Sequence, residues 1–113
     1  MNGDDNHGLS AAQLALMRKI LAASAARIAR VDLFGSRAQG THRPNSDIDL
    51  ALHGDLTARE IAGLAGQFQE SSMPVAVDVV AYERVQSAPL KAHIDRVAKT
   101  LFNREQLTAI LAE

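Results

Sequence analysis

The chain has 113 residues, a formal net charge of -1, 47% hydrophobic residues and no cysteine. That length fits one domain with one core, and the charge lacks the basic excess of a phosphate-reading nucleic-acid binder. Without thiols there are no disulfides, no thiolate catalysis and no Cys-ligated zinc.

Met1 to Gly8 is polar and lacks a signal-peptide apolar stretch, so residues 1–8 are expected to be a disordered tail and 9–113 a single domain. Ser10 and Gln13 form a capping box, and Leu14, Met17 and Leu21 an apolar stripe, which predicts a helix from Ser10 to about Ala29. Val31 to Phe34 reads as a buried strand ended by Gly35, and Gly35-Ser36 as the opening of a short helix. Asp47 to Leu52 begins with strict strand alternation.

Thr57 with Glu60 is a second capping box, followed by Ile61, Leu64, Ala65 and Phe68 at helical spacing. Val75 to Ala81 is a β-branched strand with Asp78 in its middle, and Pro89 suits the first turn of another helix. Lys99 to Phe102 is a short edge strand, and a last helix follows Asn103 with Leu107, Ile110 and Leu111. The order predicts an α/β (α+β) domain, a small sheet flanked by helices. No apolar run approaches the ~20 residues that span a bilayer. The absence of disulfides fits a reducing cytoplasm, the expected location.

The chemistry gathers around carboxylates. Residues two apart in a strand share a face, so Asp47 and Asp49 are expected to point the same way, with Cα atoms roughly 6.6 Å apart. Asp78 is a third acid in an apolar strand, where an isolated charge is costly. Three clustered carboxylates call for a cation between them, and magnesium suits carboxylates plus substrate phosphates. Mn²⁺ also suits oxygen ligands. Either acidic feature alone is more often a solvated strand face or a salt-bridged residue.

Gly35-Ser36 adds a turn where backbone N–H groups can meet phosphate. Arg37 is a candidate phosphate contact, and Arg43, in the loop before Asp47, a candidate cover for the nucleotide. His42, His53 and His93 read as surface or satisfied polar residues. Gly35 to Thr41 mimics part of a P-loop, but Gly40 is followed directly by Thr41 with no lysine, which rejects a Walker NTPase.

The runs Leu33-Phe34-Gly35-Ser36-Arg37-Ala38-Gln39-Gly40 and Ser46-Asp47-Ile48-Asp49-Leu50-Ala51, with Val77-Asp78-Val79-Val80, resemble the DNA polymerase β-type nucleotidyltransferase superfamily. Within it the chain is similar to the minimal nucleotidyltransferases, the MntA-like antitoxins, over about residues 10–103. Family members more often carry Arg where Gln39 stands.

The resemblance implies the nucleotidyltransferase fold, with Gly35 and Ser36 as the triphosphate-binding pair. Asp47 and Asp49 would ligate two metal ions, and Asp78 would ligate the catalytic one and help deprotonate the acceptor. The implied reaction transfers AMP from ATP to a tyrosine of a HEPN-type toxin, the partner of this antitoxin. Two other readings stand beside it: a non-catalytic antitoxin that neutralises by binding, and a small-molecule transferase of the aminoglycoside-modifying kind. Membrane and direct nucleic-acid partners are not expected.

Overall fold

The computed structural model describes residues 7–109. Helix α1 (Ala11–Ala22) opens on the expected capping box, Ser10 Oγ accepting from Gln13 N at 3.1 Å and Gln13 Oε1 from Ser10 N at 2.9 Å. The helix stops well before Ala29. A 3-10 turn (Ala25–Arg27) leads straight into strand β1 (Ile28–Phe34). Ile28 is fully buried and pairs with Gly54, so sheet packing overrides the weak helical preference of the alanines.

Gly35 starts the short helix α2 (Gly35–Gln39), which ends at Gly40 in the left-handed conformation. Strand β2 (Ile48–Gly54) leads to α3 (Ala58–Glu70), capped by Thr57 and Glu60 as expected. Strand β3 (Val77–Ala81) follows, then α4 (Ala88–Val97), with Ser87 as its cap and proline in its first turn. Strand β4 (Lys99–Asn103) and α5 (Arg104–Ala109) complete the described chain. Asn103 and Gln106 cap α5 reciprocally at 2.8 Å. Of the last helix's expected apolar residues Leu107 is fully buried, while Ile110 and Leu111 lie outside the described residues.

The sheet order is β3-β2-β1-β4. β1 runs antiparallel to both β2 and β4, and β2 parallel to β3, so the sheet is mixed. β4 is an edge strand, as its sequence suggested. The alternation of β1 and β2 divides the sheet into two faces. Val31, Leu33, Ile48, Leu50 and Leu52 join Met17, Leu21, Leu64, Phe68 and Leu107 in the main core. Burial of such side chains contributes about 1.5–3 kcal/mol each.

The opposite face carries Asp32, Phe34, Asp49, Ala51 and His53, and α4 packs on part of it through Ile94 against Phe34 and Ala51. Asp32 is 4% exposed there and is fully engaged. It takes bonds from Arg30 Nε at 3.2 Å and Thr100 Oγ1 at 3.0 Å, and His53 Nε2 lies 3.0 Å from it. This carboxylate therefore ties β1, β2 and β4 together on the polar face.

Of the tail expected over residues 1–8, Met1 to Asn6 lie outside the described residues. His7 is buried, and its Nδ1 accepts from Leu9 N at 3.0 Å. No helix among the described residues is long and apolar enough to cross a membrane.

Candidate active site

The polar face of the sheet meets α2 at the C-terminal end of β1, where Gly35, Asp49 and Asp78 come together. Phe34, the last residue of β1, pairs with Asp49. Asp49 in turn pairs with Asp78 on β3. Register partners on neighbouring strands project to the same face, and the strands lie about 4.8 Å apart. Asp49 and Asp78 therefore stand side by side. Asp47 sits differently from expectation: it is exposed and precedes β2, which begins at Ile48. The strand's alternation continues one residue beyond its hydrogen-bonded ladder, whose entry is fixed by Ile48 N donating to Ala76 O at 2.9 Å.

Electrostatics report the same convergence. The Asp49 carboxyl is raised above its ordinary value, first by burial, then by repulsion from Asp78 and Asp47, with His93 pulling it back. His93, expected to be a surface or satisfied polar residue, is thus close enough to act on that charge. It lies on α4, half-buried, with its ring edge-on to Phe34 at 6.1 Å and Arg96 Nη2 3.4 Å from its Nδ1. Its one signal in the sequence is the neighbouring Ile94, whose burial turns that stretch of α4 toward the sheet.

Gly35 brings the phosphate-type turn onto the carboxylates. Its φ is +74°, and a Cβ there would lie 2.2 Å from Asp49 Oδ2. Only glycine gives both the backbone conformation and the close approach. The first residues of α2 have no side-chain cap. Ser36 is half-buried, and its hydroxyl has no partner among the described residues.

The two arginines part company. Arg43 is exposed beyond the turn, its backbone N donating to Ser46 Oγ at 2.8 Å. Arg37, the candidate phosphate contact, is 3% exposed and faces inward. Its Nε and Nη2 donate to Ser46 O at 3.2 and 3.0 Å, Nη2 also to Pro44 O at 3.2 Å, and Nη1 to His7 O at 2.8 Å. Burial lowers its pKa.

Among the described residues no three His, Asp or Glu side chains already form a group that could hold a metal ion. The arrangement is a register-matched carboxylate pair with a third acid at the strand entrance. A pocket of about 470 Å³ is lined by Phe68, Met73, Val75, Val77 and Asp78, so a group held there would adjoin one member of the pair.

Residues 17–107 match the family model "Polymerase beta, Nucleotidyltransferase". Among solved structures, the chain is similar to the crystal structure of a toxin-antitoxin with AMP-PNP, at 26% identity and a TM-score of 0.66, covering 88% of this chain and 83% of that one. It also shares its fold with the toxin-antitoxin MntA-HepT, at 24% identity and a TM-score of 0.60, covering 88% and 77%. None of the proteins with curated function matches it.

Proposed function

The chain belongs to the polymerase beta nucleotidyltransferase family and is a nucleotidyltransferase, and from that premise we propose that it is an antitoxin that transfers AMP from ATP to a tyrosine of a HEPN-type toxin. The observation that carries the catalytic reading is the pairing of Asp49 with Asp78 beside the Gly35-Ser36 turn. A chain that only covered its partner would gain nothing from this placement. Like charges held together cost stability unless a ligand relieves them.

The donor set fits a hard divalent cation. All three acids offer oxygen, and the Asp49 carboxyl is raised first by burial and then by repulsion from Asp78 and Asp47, which such an ion would relieve. Mg²⁺ is commonly held by one or two carboxylates together with substrate phosphates. Asp47, Asp49 and Asp78 would hold it, with Mn²⁺ an acceptable substitute. When bound, the metal supplies charge stabilisation for the phosphates in the transition state.

The chain's own groups do the rest. The Ser36 hydroxyl and the backbone N–H groups after Gly35 donate to the β- and γ-phosphates, while Arg43 covers the nucleotide from the loop. The tyrosine hydroxyl oxygen attacks the α-phosphorus in line, and its proton passes to Asp78. The bond from the α-phosphorus to the bridging oxygen breaks, and pyrophosphate leaves with the electron pair. The product is a phosphodiester of AMP on the tyrosine. A cytoplasmic site of action goes with this NTP chemistry.

The test is the intact mass of a genomically neighbouring HEPN-type protein after incubation with this chain, Mg²⁺ and each NTP in turn. The expected result is a gain of one or more AMP units with ATP, absent with Asp47→Ala/Asp49→Ala. An unchanged mass, with a stable complex still forming, would replace this reading with neutralisation by binding alone.

A further inference from the structure

Resting on that reading, we propose that Arg37 is a positioning residue that sets the distance between the phosphate turn and Asp47, and that it does not touch the nucleotide. Its guanidinium is buried behind α2 and turned toward carbonyl oxygens. Arg37 is one residue beyond Ser36. Its Nε and Nη2 both bond the carbonyl of Ser46, the residue before Asp47. The side chain thus bridges the two halves of the site from beneath.

The need for such a bridge follows from where Asp47 sits. It lies outside the β2 ladder, so sheet bonds do not define its backbone as they define that of Asp49 and Asp78. On its C-terminal side the anchor is Ile48 N to Ala76 O at 2.9 Å. On its N-terminal side the anchor is Ser46. That residue is held by Ser46 N to Arg43 O at 3.0 Å, by its Oγ accepting from Arg43 N at 2.8 Å, and by the Arg37 fork. Of these, the fork alone connects Ser46 to α2. It also reaches Pro44 O in the same loop and His7 O in the N-terminal segment, so one planar group ties α2 to two other stretches of backbone. A lysine has a single ammonium head and cannot reproduce the fork. Displacements near 1 Å in a phosphoryl-transfer site cost on the order of 10²-fold in rate.

The experiment compares Arg37→Lys and Arg37→Ala with the wild-type chain at a temperature below every melting point. It measures the equilibrium Kd for ATP, kcat for toxin modification, and backbone amide shifts of the ¹⁵N-labelled protein. Positioning predicts a kcat loss of at least about 10-fold, ATP affinity within about twofold of wild type, and amide shifts concentrated at Asp47 and Ile48. It further predicts that free guanidinium, and not ammonium, restores part of the activity of Arg37→Ala. A Kd raised about 10-fold with kcat retained would overturn the proposal in favour of direct phosphate contact. Lowered melting points with kcat and Kd both retained would reduce Arg37 to a stability role. If the wild-type chain modifies no toxin, the catalytic reading fails, and the amide shifts of the two variants still decide whether Arg37 positions Asp47.

Discussion

The carboxylate of Asp49 rests against the Cα of Gly35, closely enough that a Cβ on Gly35 would stand 2.2 Å from Asp49 Oδ2. The two residues come from different elements, one opening α2 and the other within β2. Their contact makes the turn and the acidic strand a single unit. Gly35→Ala is expected to cost about 1–2 kcal/mol from the left-handed backbone alone and to push the Asp49 carboxylate out of place. Transfer activity should fall at least about 100-fold, more than the drop in melting temperature explains. In α3, a Cβ at Gly63 meets nothing within 4 Å. Gly63→Ala should therefore stabilise the fold by about 0.5–1 kcal/mol with activity unchanged. Paired melting and transfer assays of both variants check this.

Asp49 also makes stability depend on pH. Its carboxyl is raised in the folded state by burial and by Asp78 and Asp47. The folded protein therefore binds this proton more tightly than the unfolded chain does. Stability falls as pH rises from the unfolded value through the raised folded one, and the full penalty is present above it. Asp49→Asn removes the charge and should melt a few degrees above wild type at neutral pH while abolishing transfer. Thermal melts across the acid range should show that advantage vanishing as the wild-type carboxyl becomes protonated. Millimolar Mg²⁺ should raise the melting point of the wild type and leave that of Asp49→Asn almost unmoved.

Ser36 offers a hydroxyl with no partner among the described residues beside that unit. Its loss leaves no buried group unsatisfied, so Ser36→Ala should fold and melt like wild type. A hydrogen bond to a charged group is worth about 1.5–3 kcal/mol. The KM for ATP should accordingly rise about 10-fold or more, with a smaller change in kcat. Initial rates across ATP concentrations check the split.

Asp32 occupies the same sheet face but serves the fold. Its oxygens receive Arg30, Thr100 and His53 at 3.0–3.2 Å. Asp32→Asn trades an acceptor oxygen for a donor facing other donors. A loss of about 1–3 kcal/mol is expected, read as a lower midpoint in urea, with transfer per folded molecule retained.

Much of this arrangement is legible in the residues themselves. The capping boxes at Ser10 and Thr57 mark two helix starts, and glycine after Val31–Phe34 marks the turn. The strands that carry Asp49 and Asp78 and the turn at Gly35 are legible because strand alternation and glycine punctuation are local properties. The inward turn of Arg37 is not legible in this way, since an arginine in a short polar helix has the pattern of a solvated face. Its burial depends on the loop through Pro44 and Ser46 folding back over it, a non-local event. Asp47 continues the alternation of β2, yet the ladder ends one residue later, and no sequence period encodes where a ladder stops. His93 comes near enough to Asp49 to act on its charge through the packing of α4 on the sheet.

The position of β1 has a consequence for how the chain acquires its shape. β1 joins β2 through α2 and the loop after it but bonds on its other side to β4, much later in the chain, with Val31 facing Phe102. Contacts between distant parts of a chain form slowly because a long loop must close first. The β1–β2 pair, and with it the Gly35–Asp49 contact, can form while β4 is still being synthesised. Until β4 arrives, β1 exposes a row of unpaired N–H and C=O groups, and Asp32 lacks Thr100. An open edge of this kind recruits strands from other chains. The interval before β4 docks is therefore when the nascent protein is most prone to aggregate, and a helper that shields β1 during that interval would raise its yield.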